Sequence, residues 1–74
     1  MRTGIIAELD AINLYEQMAA TAESEDVKRV LLDIAREEKA HIGEFLALLL
    51  KLDPEFGKEL EKGKREVSKL IGGR

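Results

Sequence analysis

Three residues of this chain carry reactive side chains where apolar ones are expected: Glu8, Glu38 and His41. In the first half, a 3-4 spacing runs through Ile5, Glu8, Ile12, Tyr15, Ala19 and Ala22. In the second, it runs through Val27, Leu31, Ile34, Glu38, His41, Phe45, Leu48 and Leu52. That alternation lines one face of a packed helix. Only these three residues and the half-polar Tyr15 interrupt it. An isolated charge in an apolar seam is costly, so buried carboxylates are paired or hold a cation. Two inward carboxylates and an imidazole therefore read as a metal site.

The distances along the chain bring the three together. Glu8 and Glu38 each lie fifteen residues from Glu23, where the sequence is ready to turn. Fifteen helical residues rise ~22 Å, so in an antiparallel hairpin the two glutamates return to one height. His41 follows Glu38 by three residues and shares its face. Singly, each feature is ordinary. Glu-x-x-His occurs on many solvated helices, Glu37-Glu38-Lys39 resembles a charged surface run, and a lone histidine is usually structural. The conjunction at one level of one seam carries the metal reading.

The elements that position these residues follow from caps and breakers. A first helix is predicted over about 3–22, with Thr3 as a candidate cap. Ser24 suits the N-cap of a second helix over about 24–52, with Glu25 and Asp26 at the positive end of its dipole. Gly43 interrupts that helix at a cost of ~1 kcal/mol relative to alanine. It marks either a close approach of a neighbouring backbone or a tolerated glycine. Asp53-Pro54 starts a third helix over about 54–71, because aspartate caps and proline fits the first helical position. Phe56, Leu60, Val67 and Leu70 give it one apolar stripe, the pattern of a docking helix. Gly72-Gly73-Arg74 reads as a frayed end or the start of a linker.

Residues 1–74 make a single domain of all-α class, close to the size at which a lone core is marginal. Two amphipathic helices cannot cover both sides of their shared face. A symmetric homodimer, two hairpins forming a four-helix bundle, is the expected solution. Ala11, Leu14 and Met18, and again Ala35, Ile42, Leu46 and Leu49, form further apolar stripes that point to assembly beyond a dimer. The net charge of −3 argues against nucleic acid, which demands a basic face. The longest apolar run, Phe45 to Leu50, is far short of the ~18 residues a membrane span needs. The N-terminus reads directly as helix rather than as a secretory signal, which sets a cytoplasmic expectation. Cysteine is absent, so disulfides, thiolate metal sites and thiol catalysis are excluded.

Doubling the set by two-fold symmetry supplies four carboxylates and two imidazoles. Carboxylate-bridged dinuclear iron sites use that inventory. Four ionised glutamates also balance two divalent ions. Mixed oxygen and imidazole donors suit iron or manganese, with zinc as a further substitute and copper less suited. Tyr15, two turns past Glu8, is a candidate hydrogen-bond donor or redox neighbour, against the plainer reading of a core aromatic. Asp10, Glu37 and Glu44 flank the site and are most simply solvated acids.

The stretches Glu8-Leu9-Asp10-Ala11-Ile12-Asn13-Leu14-Tyr15-Glu16 and Glu37-Glu38-Lys39-Ala40-His41-Ile42-Gly43-Glu44-Phe45 resemble the encapsulated ferritins, half-length members of the ferritin-like superfamily. The resemblance covers residues 5–70. It implies that Glu8, Glu38 and His41 are ferroxidase ligands with Tyr15 beside them, and that two iron ions sit at each dimer interface. It also implies a ring-shaped homodecamer working inside an encapsulin shell, a nanocompartment that stores the iron. Ala7 departs from the family's pattern of acids on both sides of the first ligand, where only Asp10 remains. Ile71-Gly72-Gly73-Arg74 departs from its shell-docking peptide, which fits a domain belonging to a fusion with its shell protein.

Two other functions compete with ferroxidase. One keeps the fold and reduces peroxide at a di-iron centre, as in rubrerythrin-like proteins. The other is a non-enzymatic helical assembly or cargo module.

Overall fold

The computed structural model describes residues 1–72 and contains three helices: α1 (Arg2–Thr21), α2 (Glu25–Leu52) and α3 (Pro54–Leu70). The described residues contain no strand, so the all-α reading holds, and each helix ends within a residue or two of its predicted limit. Gly73 and Arg74, and with them part of the expected Ile71–Arg74 tail, lie outside the described residues.

The turns are set by local chemistry. The Ser24 side chain accepts a hydrogen bond from the Val27 N–H at 3.3 Å, and Glu25 and Asp26 occupy the first turn of α2. Asp53 does the same for α3, accepting from the Phe56 N–H at 3.2 Å ahead of Pro54. Both caps satisfy amide groups that a helix start leaves orphaned. At α1 the expectation fails. Thr3 lies inside the helix, Met1 takes the N-cap position, and no side chain caps it. Helix formation from Arg2 onward leaves the Thr3 hydroxyl past the point where a cap can act.

α1 and α2 pack as an antiparallel hairpin. Gly4 faces Phe45, Glu8 faces His41, and Glu16 pairs with Lys39. On α1 the predicted seam is the buried one: Ile12 and Ala19 are buried, and Ile5, Glu8, Tyr15 and Ala22 are half-buried. On α2 the seam is partly rotated from its prediction: Leu31, Ile34, Glu38 and Phe45 of the predicted line are half-buried, but its other members are exposed. Ala35 and Leu49 are buried and Ile42 and Leu46 half-buried, whereas Val27, Leu48 and Leu52 are 50, 48 and 73 % exposed. The stripe read as surplus thus faces α1, and the outer edge of the stripe read as seam faces away. Both stripes are apolar at helical spacing, and spacing alone does not say which one the partner helix covers.

α3 docks only through its first turns, where half-buried Phe56 lies beside Ile5, Leu46 and Leu49. Beyond that point Leu60, Val67 and Leu70 are 36, 55 and 84 % exposed, so the docking stripe is uncovered within the chain. The molecule measures 44 × 33 × 13 Å, its thinnest dimension close to one helix diameter of ~10–12 Å. Ile12, Ala19, Ala35 and Leu49 are the only buried hydrophobics among the described residues, and two are alanines. A slab with that little interior needs covering on its faces.

Gly43 is exposed, and a Cβ built on it meets nothing within 4 Å. The chain therefore gives it no close backbone neighbour, and the remaining cost is helix propensity. Gly43→Ala is expected to raise stability by ~1 kcal/mol. A denaturant midpoint at or below that of the native chain would instead show that another molecule approaches this position.

Candidate metal centre

The hairpin register and the i, i+3 spacing on α2 bring the three predicted residues together. His41 Nδ1 lies 3.6 Å from Glu8 Oε2 and 3.6 Å from Glu38 Oε2. Donor atoms of all three residues fall within 4.8 Å of one another. Both carboxylate side chains are about one-fifth exposed, at 20 and 19 %, while His41 is 47 % exposed. His41 is thus a rim residue rather than the inward one its spacing suggested, because the contact line on α2 runs through Ala35, Ile42 and Leu49 instead.

The polar accounting of this cluster is incomplete. Glu8 Oε2 is buried and has no hydrogen-bond partner among the described residues. Nearly all buried polar atoms are satisfied, and leaving one without a partner costs about 1–3 kcal/mol, more when it is charged. Two carboxylate oxygens and a nitrogen directed at one point form a donor set for a cation, and a cation there would satisfy the orphaned oxygen. The residues present therefore fit a metal ion.

The surroundings are asymmetric. On one side of the hairpin Lys39 Nζ meets Glu16 Oε2 at 3.3 Å, an ion pair between the two helices. No spacing within a single helix signals that pair, because its partners come from different helices. His41 lies on the opposite side. There Val27, Val30, Leu48 and Leu52 share its stripe along α2, and Leu14 and Met18 lie on the same side of α1, by helical position. All six are exposed apolar residues, 44–73 % accessible. The donor set thus opens onto an uncovered apolar face.

Half-buried Tyr15 shares the α1 face of Glu8 two turns away and is not one of the converging residues. Asp10, Glu37 and Glu44 are exposed and also lie outside that group. No helix among the described residues is long and apolar enough to cross a membrane.

Known proteins resemble this chain in sequence and in backbone. The rubrerythrin family matches residues 1–71. A ferritin-like-encapsulin shell fusion protein of Pyrococcus furiosus is 65 % identical over 72 residues, which is 97 % of this chain and 21 % of that protein. The encapsulin nanocompartment cargo protein EncC of Myxococcus xanthus is 44 % identical over 55 residues, 74 % of this chain and 42 % of that one. The chain thus spans less than half the length of either relative. The crystal structure of the encapsulated ferritin domain from Pyrococcus furiosus superposes with a TM-score of 0.94 at 66 % identity, covering 96 % of this chain and 72 % of that one. A three-helix chain that shares both the sequence and the backbone of that domain across nearly its whole length belongs to the encapsulated ferritins, within the rubrerythrin family.

Proposed function

We propose that the chain is a ferroxidase that takes Fe(II) as its substrate at a dinuclear centre shared by two copies. The observation that carries this reading is the buried Glu8 Oε2, without a hydrogen-bond partner and within reach of His41 and Glu38 on the uncovered side of the hairpin. Glu8, Glu38 and His41 are the proposed ligands. Two chains meeting through that face, as a ferritin-like four-helix bundle, would bring two such sets together, with two iron ions per dimer. Each chain is then one half-ferritin domain over residues 1–74.

The ligands account for the direction of the chemistry. Anionic carboxylates attract Fe(III) more strongly than Fe(II), so they lower the cost of losing an electron. Two Fe(II) ions each give one electron to dioxygen, which takes two protons from water and leaves as hydrogen peroxide, and the Fe(III) pair leaves for storage. His41 supplies a neutral donor at the exposed rim, where substrate can arrive and product depart. Tyr15 is proposed as a neighbour that donates a hydrogen bond toward the centre, without binding metal itself. Manganese and zinc suit the same donors as substitutes.

The two named relatives are encapsulin proteins, one a shell fusion and one a cargo protein. By extension, this domain acts inside an encapsulin nanocompartment in the cytoplasm, as a ring-shaped homodecamer built from dimers. The uncovered stripe of Leu60, Val67 and Leu70 on α3 supports contacts beyond the dimer.

The rubrerythrin match gives specific ground for a second reading, in which hydrogen peroxide is the oxidant. An anaerobic Fe(II) titration followed by air or peroxide tests both. The expected result is saturation at about one iron per chain, then a near-ultraviolet ferric band that grows with air. Faster oxidation by peroxide than by air favours the second reading. Absence of stoichiometric binding reduces Glu8, Glu38 and His41 to a polar cluster and leaves a non-enzymatic assembly module.

A further inference from the structure

Small side chains bracket the level of the three converging residues. On the loop side, one turn before Glu38, Ala35 is 1 % exposed. It precedes Glu38 by three residues and lies at the contact of α2 with α1. On the other side Gly4, one turn before Glu8, faces Phe45, one turn past His41. A Cβ built on Gly4 would lie 3.4–3.5 Å from the Phe45 ring, so one methyl group already fills the space up to that ring.

Helix separation is set by the side chains at the contact, and packed interiors have no spare volume to absorb a larger one. We infer that Ala35 and Gly4 are positioning residues: they fix the gap between α1 and α2 at the level where Glu8 Oε2 comes within 3.6 Å of His41 Nδ1. Bulk at either position moves α1 away from α2 beside the donors. Glu8 then withdraws from Glu38 and His41, which share a helix and keep their mutual spacing. This inference rests on the metal reading of the site.

Ala19 provides the control. It is 2 % exposed in the same helix contact, yet lies eleven residues from Glu8, roughly 16 Å along α1. The experiment compares the native chain with Ala35→Val and Ala19→Val. It reads thermal unfolding without metal, Fe(II) affinity by anaerobic titration, and the visible absorption of bound Co(II). Both valines are expected to lower the unfolding midpoint. Only Ala35→Val should weaken Fe(II) binding, by about tenfold or more, and change the Co(II) spectrum.

Gly4→Val should also weaken binding, and adding Phe45→Leu should restore it by vacating space across the gap. This pair sits near the end of the hairpin and carries the test if Ala35→Val does not fold. Native affinity and spectrum in Ala35→Val, or equal losses in Ala19→Val, overturn the inference, as does failure of Phe45→Leu to rescue Gly4→Val. A native chain that binds neither ion overturns the metal reading and this inference with it. Native binding with variants that follow stability alone overturns only the inference.

Discussion

Glu38→Ala is expected to abolish iron oxidation while leaving the metal-free protein at least as stable as the native chain. The two effects together separate a ligand from a structural ion pair. Glu38 contributes one of three converging donors, and its side chain is 19 % exposed. Loss of residues that merely support a ligand costs 10–100-fold in affinity or activity, so loss of a ligand should cost more than about 100-fold. Stability should move the other way. Glu8 and Glu38 direct carboxylates at the same point, where like charges disfavour one another, and Glu8 Oε2 lacks a partner. Removing one carboxylate relieves that repulsion. A structural salt bridge behaves oppositely, because breaking a buried pair is destabilising. Stopped-flow absorbance of the ferric band and apo thermal unfolding, measured on the same preparation, check both halves. Ordinary oxidation rates in the variant would sink the ferroxidase assignment.

The site was legible in the sequence because its signal is a violation. Glu8, Glu38 and His41 break an otherwise apolar spacing; equal distances from the turn at Glu23 place Glu8 and Glu38 at one height, and His41 follows Glu38 by three residues. The convergence survives folding, with Ser24 capping α2 at the turn, although His41 takes its place at the rim rather than inside the seam. The orientation of α2 was less legible. Val27, Leu48 and Leu52 share a helical stripe with Glu38 and His41, while Ala35, Ile42 and Leu49 form an equally apolar stripe alongside. Period alone gives the two equal standing. Burial decides for the second, in which Ala35 and Leu49 are enclosed. The exposure of His41 follows from the same rotation. Thr3 failed as a cap for a different reason. Capping residues are recognised by type, but α1 begins at Arg2, one residue ahead of it. The Glu16–Lys39 pair was out of reach, because two long side chains from different helices met with no spacing to announce them.

Iron is expected to drive assembly. The hairpin face around His41 exposes Leu14, Met18, Val27, Val30, Leu48 and Leu52, each 44–73 % accessible. Burial of apolar area contributes about 25 cal/mol per Å² and favours a second copy there with or without metal. The carboxylates oppose it. Bringing two chains together through that face would crowd four glutamates into one seam, each losing water and gaining like-charged neighbours. Two divalent cations reverse the sign of that electrostatic term. An ion that binds only the assembled form stabilises it by about 4 kcal/mol at a thousandfold excess over its dissociation constant. That exceeds the ~1.4 kcal/mol that shifts an equilibrium tenfold. Analytical ultracentrifugation of the full chain should therefore show smaller species in excess chelator and larger ones after anaerobic Fe(II) addition. Glu38→Ala should lose the iron response, yet associate without metal at least as well as the native chain, because it brings two fewer carboxylates to the seam. Equal distributions with and without chelator in the native chain would mean that the apolar face alone sets assembly. The polar cluster would then have no part in holding the subunits together.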